Sequence, residues 1–376
     1  MQKVRFGDVA ERINIHVDQQ NTDLEYYIGG EHIESCEFMI HSKAPIKGAT
    51  IGYQFQFGFE PNDILFMTKN PHLRKASMVD FRGLCSIATF VIRTKDKSQL
   101  LQEYLLLEMQ SDRFWQYLEE NKSGGVNYFI NWGTLSNYMF ELPDMSKQKE
   151  LSKKVWSAYR VKEAYKKLLV ATDEMVKSQF IEMIGSKNWP EAKLKDIVHE
   201  DCSISYGIVQ PGDDIEDGVP IVRPVDMNDT HLIERESLKK TSREISDAYS
   251  RTILRGDEIL ICVRGTTGLI SKAEGLQGCN VTRGITPLFF KPEYNKEYLY
   301  RAFLGEKVQT YIKDNTIGST LKGINMGTLR EMPVCIPTCD IQQKFVCIAE
   351  QADKSKFELR KSIEAIDAVI KSLING

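Results

Sequence analysis

The chain has 376 residues, 42% hydrophobic and 27% charged, with a net charge of −3. That length holds two or three domains with cores of their own, and the composition is that of a globular protein. The absence of basic excess weakens a nucleic-acid reading without excluding it, because local patches decide contact with phosphate and a partner chain can supply more of them. Eight scattered cysteines with no CxxC pair read as free thiols of a reducing cytoplasm. No signal peptide is recognised at the start, and no apolar run approaches the ~20 residues of a membrane span.

Taken in order, residues 1–144 read as a first globular unit of mixed α/β (α+β) character. Its strand signals are residues 64–67 and 88–92, followed by an amphipathic helix around residues 103–120. A long helix without proline is predicted over residues 147–184, within a block of 145–186. Its apolar-leaning stripe includes Leu151, Val155, Tyr165 and Leu169, with Lys162 and Thr172 as flaws. Residues 187–338 read as a second globular unit, with strands at 219–222, 258–263 and 287–290. Residues 339–376 form a second long helix. Its seam is Phe345, Ile348, Ala352, Ser355, Leu359, Ser362, Ile366, Val369 and Leu373, in strict 3–4 alternation. Its charged outer face needs a partner along one stripe, and the first long helix is the natural one. An antiparallel coiled coil would make the chain pseudo-two-fold, with the helices as a spacer.

The chain contains itself twice. Residues 103–143 align without a gap with residues 297–337, an offset of 194, and the strongest island is Ile130-Asn131-Trp132-Gly133-Thr134-Leu135 against Ile324-Asn325-Met326-Gly327-Thr328-Leu329. Such an offset is too long for a solenoid unit of roughly 20–50 residues. It is a duplicated domain followed by a duplicated helix, which suits a partner that is itself long and roughly two-fold.

Four loops carry the candidate chemistry. Arg264-Gly265-Thr266-Thr267-Gly268 combines backbone N–H groups, two hydroxyls and a guanidinium after a buried strand. Those groups suit phosphate contact, or bidentate reading of guanine by Arg264; a hairpin turn needing glycines explains the same residues equally well. Lys69, His72, Arg74 and Lys75 make a short basic loop in the first unit. Residues 123–129 correspond to 317–323, and Lys122, Asn127 and Lys322 are the contact candidates there. Catalytic constellations are missing. There is no HExxH, no paired zinc spacing, no GxSxG elbow, no Walker A loop and no Asn-Pro-Pro-aromatic tetrapeptide.

Taken together, these residues resemble the specificity (S) subunits of type I restriction–modification systems, over essentially the whole chain. Tyr27-Ile28-Gly29-Gly30-Glu31-His32-Ile33 looks like a string of that family. So does Pro71-x-Leu73-Arg74-Lys75 followed by Gly83-x-Cys85-Ser86. In the second unit the match runs through Ser205-Tyr206-Gly207-Ile208-Val209-Gln210-Pro211-Gly212, then Pro220-x-Val222-Arg223, residues 257–268 and residues 325–329. The resemblance implies two target-recognition domains, each reading part of a split, asymmetric site in double-stranded DNA. Arg223 and Arg283 join the contact candidates on that basis. It also implies that the paired helices set an unread spacer and dock two methyltransferase chains, with Leu151, Val155, Tyr165, Leu169, Ile348, Leu359, Ile366 and Leu373 as the docking candidates. On this reading the chain is cytoplasmic, is not an enzyme, and binds no metal and no cofactor. S-adenosylmethionine, ATP and Mg belong to partner methyltransferase and restriction chains. Two alternatives remain: a specificity chain of a related system with a fused modification–nuclease partner, or a coiled-coil scaffold that binds protein.

Overall fold

Alternation along short strands organises each half of the chain. Ile64 and Phe66 of the strand Ile64–Met67 enter one hydrophobic core and Leu65 enters another, as successive strand residues must. Ile259 and Ile261 of Ile259–Cys262 do the same, opposite Leu260 and Cys262. The computed structural model describes residues 2–185, 187–227, 233–318 and 322–376. It divides into two compact units, residues 1–168 with 358–376, and residues 169–357. Each unit holds part of both long helices, Met145–Phe180 and Cys339–Asn375.

In the first unit, Ile64–Met67 pairs antiparallel with Thr89–Thr94 and Ala76–Met78, and Ala10–Ile13 completes a four-stranded sheet. A five-stranded sheet lies over the second core and contains one parallel pair, Tyr26–Ile28 beside Gly83–Ser86. Where the sequence predicts one helix near residues 103–120, there are two, Gln102–Gln110 and Asp112–Glu120. Ser111 parts them: its hydroxyl donates to the Glu108 carbonyl (2.7 Å) and accepts from the Phe114 N–H (3.3 Å), capping the second helix. Beneath them Phe66 and Trp115 stack with centroids 5.8 Å apart.

The second unit repeats this plan. Ile259–Cys262 runs between Ile270–Lys272 and Ile285–Leu288, and Val219–Val222 is parallel to Asn280–Val281. Its two helices, Lys296–Leu304 and Glu306–Asp314, part at Gly305. The offset of 194 residues holds down to single hydrogen bonds. Tyr117 donates to the Thr134 carbonyl at 3.0 Å and Tyr311 to that of Thr328 at 2.9 Å. Gln148 donates to the Pro143 carbonyl at 2.9 Å and Gln342 to that of Pro337 at 2.8 Å. Both glutamines are buried, so each amide satisfies a carbonyl that would otherwise be stranded at a helix entry.

Within each unit the long helices run antiparallel. Val155 and Tyr159 share the first unit's core with Ile370 and Ile374, and Phe180 meets Phe345 edge-on in the second, centroids 5.2 Å apart. The predicted seam needs correcting at every second position. Phe345, Ala352, Leu359, Ile366 and Leu373 face inward, but the alternate places are taken by Ala349, Lys356, Ile363 and Ile370. Ser355 and Val369 are exposed. Both phases keep a heptad; the observed one wins because it delivers Ala349 and Ile370 into the two cores. Lys162 is not a flaw in its stripe: it is buried, with its ammonium 2.8 Å from Asp367 and 3.1 Å from Glu37. Of the docking candidates, Val155 is fully buried, and Leu151, Ile366 and Leu373 pack against the first unit's core. Tyr165, Leu169, Ile348 and Leu359 keep partial exposure. Exposed apolar side chains on these helices lie instead at Val161, Val170, Met175 and Val369.

Glu37 ties the first unit's globular part to its helix through Lys162 and Lys166 (2.8 Å). Burial pushes its carboxyl up, but the two lysines outweigh burial and hold it below the usual range. A depressed carboxylate stabilises the fold above the unfolded pKa, and that contribution is lost as pH falls through the folded value. The thermal midpoint therefore drops on acidification below about pH 4, and Glu37→Gln flattens that drop. Parallel curves for the two proteins would show that Glu37 is not the titrating group.

Candidate nucleic-acid interface

The candidate residues converge because two loops pair through their backbones in each unit. In the second unit the Ile324 N–H donates to the Val263 carbonyl (3.0 Å), the Gly265 N–H donates to the Lys322 carbonyl (2.9 Å), and Arg264 bridges to Gly323. A positive φ at Gly265 (81°) and Gly268 (94°) lets the chain turn there without a side-chain clash. In the first unit the Ile130 N–H donates to the Thr68 carbonyl (2.9 Å), and Lys69 bridges to Phe129. Lys69 is thus the structural counterpart of Arg264. The sequence already sets residues 69–75 against 264–268, through the shared Ile64-Leu65 and Ile259-Leu260 of the preceding strands, and the backbone pairing at Thr68 and Val263 fixes the register.

Around Arg264 the second unit gathers further groups. Gly284 accepts from the Val263 N–H (2.7 Å) and lies where an added Cβ would strike Pro224 at 2.6 Å, which brings Arg283 and residue 223 beside the loop. Gly207 is required for a similar reason, since a Cβ there would come within 2.1 Å of the Val281 carbonyl oxygen. The close approach sets Tyr206 beneath Arg264, whose guanidinium carbon is 5.1 Å from the ring centroid. Tyr206 was not among the sequence candidates, although it lies inside the Ser205-Tyr206-Gly207-Ile208 string. Arg283, Thr266 and Lys322 are exposed, and Thr267 is half-buried with its hydroxyl 3.4 Å from the Lys322 carbonyl. Among the described residues, no ion pair engages Lys69, Arg264, Arg283 or Lys322. A recess of about 510 Å³ opens between residues 265–267, Lys322, Gln309 and Lys313. Ser319, Thr320 and Leu321, part of the predicted loop, lie outside the described residues.

Other candidates are committed to internal partners. Arg223 makes a two-pronged pair with Asp226 (2.9 and 2.6 Å), a hydrogen bond that raises its pKa. Arg74 binds Asp112 at 2.6 Å, and Lys75 donates to the Gly30 carbonyl at 2.6 Å. Lys122 pairs with Glu119 at 2.6 Å and sits 4.1 Å above the Tyr128 ring. These four shape the loops; Lys69, His72 and Asn127 remain exposed. Val126, Tyr128 and Phe129 are exposed beside them, an apolar complement to the cations that the composition did not suggest.

Two similar loop-presenting units, each built onto paired long helices, define a duplicated recognition protein. Residues 186–367 match the family model of the type I restriction modification DNA specificity domain, and the chain is similar to specificity subunits of type I restriction enzymes. The type I restriction enzyme EcoBI specificity subunit of Escherichia coli is 27% identical over 195 residues, which is 50% of this chain and 40% of that relative. The MjaIX specificity subunit of Methanocaldococcus jannaschii is 24% identical over 196 residues, 50% of this chain and 44% of the relative. The chain thus matches less than half the length of these two relatives. Two solved structures share the fold. A chain from a study of complex assembly and conformational transition of the type I R-M system has a TM-score of 0.62 at 18% identity, covering 99% of this chain and 96% of that one. The S subunit from M. genitalium gives 0.56 at 13% identity, covering 99% and 94%. No helix among the described residues is long and apolar enough to cross a membrane.

Proposed function

We propose that this chain is a non-catalytic reader of double-stranded DNA. Each unit recognises one part of a bipartite, asymmetric site through its paired loops. Methyltransferase chains bound to it supply S-adenosylmethionine chemistry, and restriction chains supply the steps that need ATP and Mg. The observation that carries this reading is the recurrence of one backbone arrangement in both units, with a cation at the same place, an exposed Lys69 or a half-buried Arg264, and different side chains around it. A shared frame with divergent tips is what two readers of different sequences require, because phosphate contacts position while base contacts specify.

The test is co-expression of the chain with its methyltransferase partner, followed by genome-wide mapping of adenine methylation. A split asymmetric motif supports the reading. Methylation that needs the partner but not this chain overturns it, and protein binding without DNA binding would favour the scaffold instead. Lys69→Ala should weaken binding at the part of the site read by the first unit. If Lys69 meets phosphate, the salt dependence of binding falls by about one unit of slope and the sequence preference stays.

A further inference from the structure

Two ion pairs link the long helices, one inside each unit. Lys162 reaches Asp367 at 2.8 Å in the first unit, and Lys356 reaches Asp173 at 2.7 Å in the second. The lysine side chains are only 9% and 15% exposed, while the aspartates are half exposed. The four residues are two repeat equivalents: Lys162 maps onto Lys356, and Asp173 onto Asp367, by the same offset of 194 that relates the loops. Lysine and aspartate stand eleven residues apart on each helix, three turns and so one face.

We propose that these two pairs are a duplicated latch that admits one alignment of the long helices. With the helices antiparallel, each lysine meets an aspartate. Were they parallel with the repeats side by side, Lys162 would face Lys356 and Asp173 would face Asp367, two like-charge contacts. A slide by one heptad from the observed pairing brings Lys162 against Arg360 or Ile374, and Lys356 against Lys166 or Phe180. Every alternative therefore buries a lysine stem beside a cation or an apolar group, and buried charge tolerates that poorly. Apolar seams alone do not discriminate so sharply, because a heptad slide maps one apolar position onto another. A polar group in the seam is the usual way to specify register and orientation.

The other charged groups facing these lysines are consistent with the role. Lys162 also meets Glu37 at 3.1 Å, and Lys356 meets Asp353 at 3.1 Å. Each lysine therefore keeps one carboxylate when its latch aspartate is changed, so the aspartates are the sites to substitute.

The experiment uses the full chain without DNA, which separates failure of the latch from failure of DNA reading. Spin labels at Val161→Cys with Val369→Cys, and at Met175→Cys with Cys347, report helix-to-helix distances within the first and second units. The remaining exposed cysteines are replaced by serine. The unchanged latch should give one narrow distance in each unit. D173K/D367K, which sets lysine against lysine at both places, should broaden each into more than one distance, with the native population reduced about tenfold against the alternatives. D173E/D367E should keep the single distance, and so should the exchanged pair D173K/K356D in the second unit. If D173K/D367K retains the single native distances, the latch idea is wrong. If that variant does not fold, D173N/D367N gives the reading: broadening supports the latch, and one unchanged narrow distance overturns it.

Discussion

Arg264→Ala relaxes or abolishes reading of one part of the split site and leaves the other part intact. Arg264 is held by backbone pairing on both sides, to Gly284 and to Gly323, and is backed by Tyr206. Its backbone is thus fixed, with the guanidinium over the Tyr206 ring. A bidentate contact of that kind to guanine is worth about 1–3 kcal/mol of discrimination. Methylation mapping of a host carrying the variant should show a motif degenerate on one side only. Equal loss on both sides would remove Arg264 as a reader and point to a general folding defect. Arg264→Lys separates charge from geometry: lysine keeps attraction to phosphate but not the planar fork, so a base reader should lose specificity in that variant too.

Glu108→Ala destabilises the first unit by about 1–3 kcal/mol, the cost of leaving a buried hydrogen-bonding group without its partner. Glu108 is only 2% exposed. It accepts from the Tyr138 hydroxyl at 2.7 Å and from Arg113 Nε at 2.9 Å, and Arg113 reaches its second oxygen as well. Removing the carboxylate strands a buried hydroxyl and leaves a cation without its partner. The chain carries its own control, since Ala302 and Met332 replace Glu108 and Tyr138 at the equivalent places in the second unit, and both are buried. The double change Glu108→Ala with Tyr138→Met should therefore recover most of the loss. Denaturant unfolding combined with hydrogen exchange in residues 102–120 checks both values. A Glu108→Ala chain as stable as the parent would show that the buried carboxylate contributes nothing net.

The duplication was legible because the repeated residues do architectural work that few side chains can do. Asn131 and Asn325 cap short helices, Gln148 and Gln342 satisfy buried carbonyls, and Tyr117 and Tyr311 each donate to the carbonyl of a threonine 17 residues further on. The second unit's loop was visible for a similar reason, since two glycines with positive φ leave a sequence trace. The first unit's equivalent has no such trace. It reaches its shape with left-handed Asn70 (φ 53°), a residue type that favours that region, and left-handed Arg74 (φ 48°), a type that does not announce the turn. The helix seam was misread at alternate positions because one heptad pattern fits two phases, and side-chain type alone does not choose between them.

By itself, then, the sequence determined the two units, the two long helices and the loops that carry cations. Each is written in periodicity, in glycine placement or in the 194-residue echo, which are local properties of the chain. Only the tertiary structure decided that Arg74, Lys75, Lys122 and Arg223 are held by internal partners, and that Lys162 is buried rather than misplaced. Those outcomes depend on which carboxylate or carbonyl comes within about 3 Å of a cation, and that distance is set by packing between residues far apart in the chain.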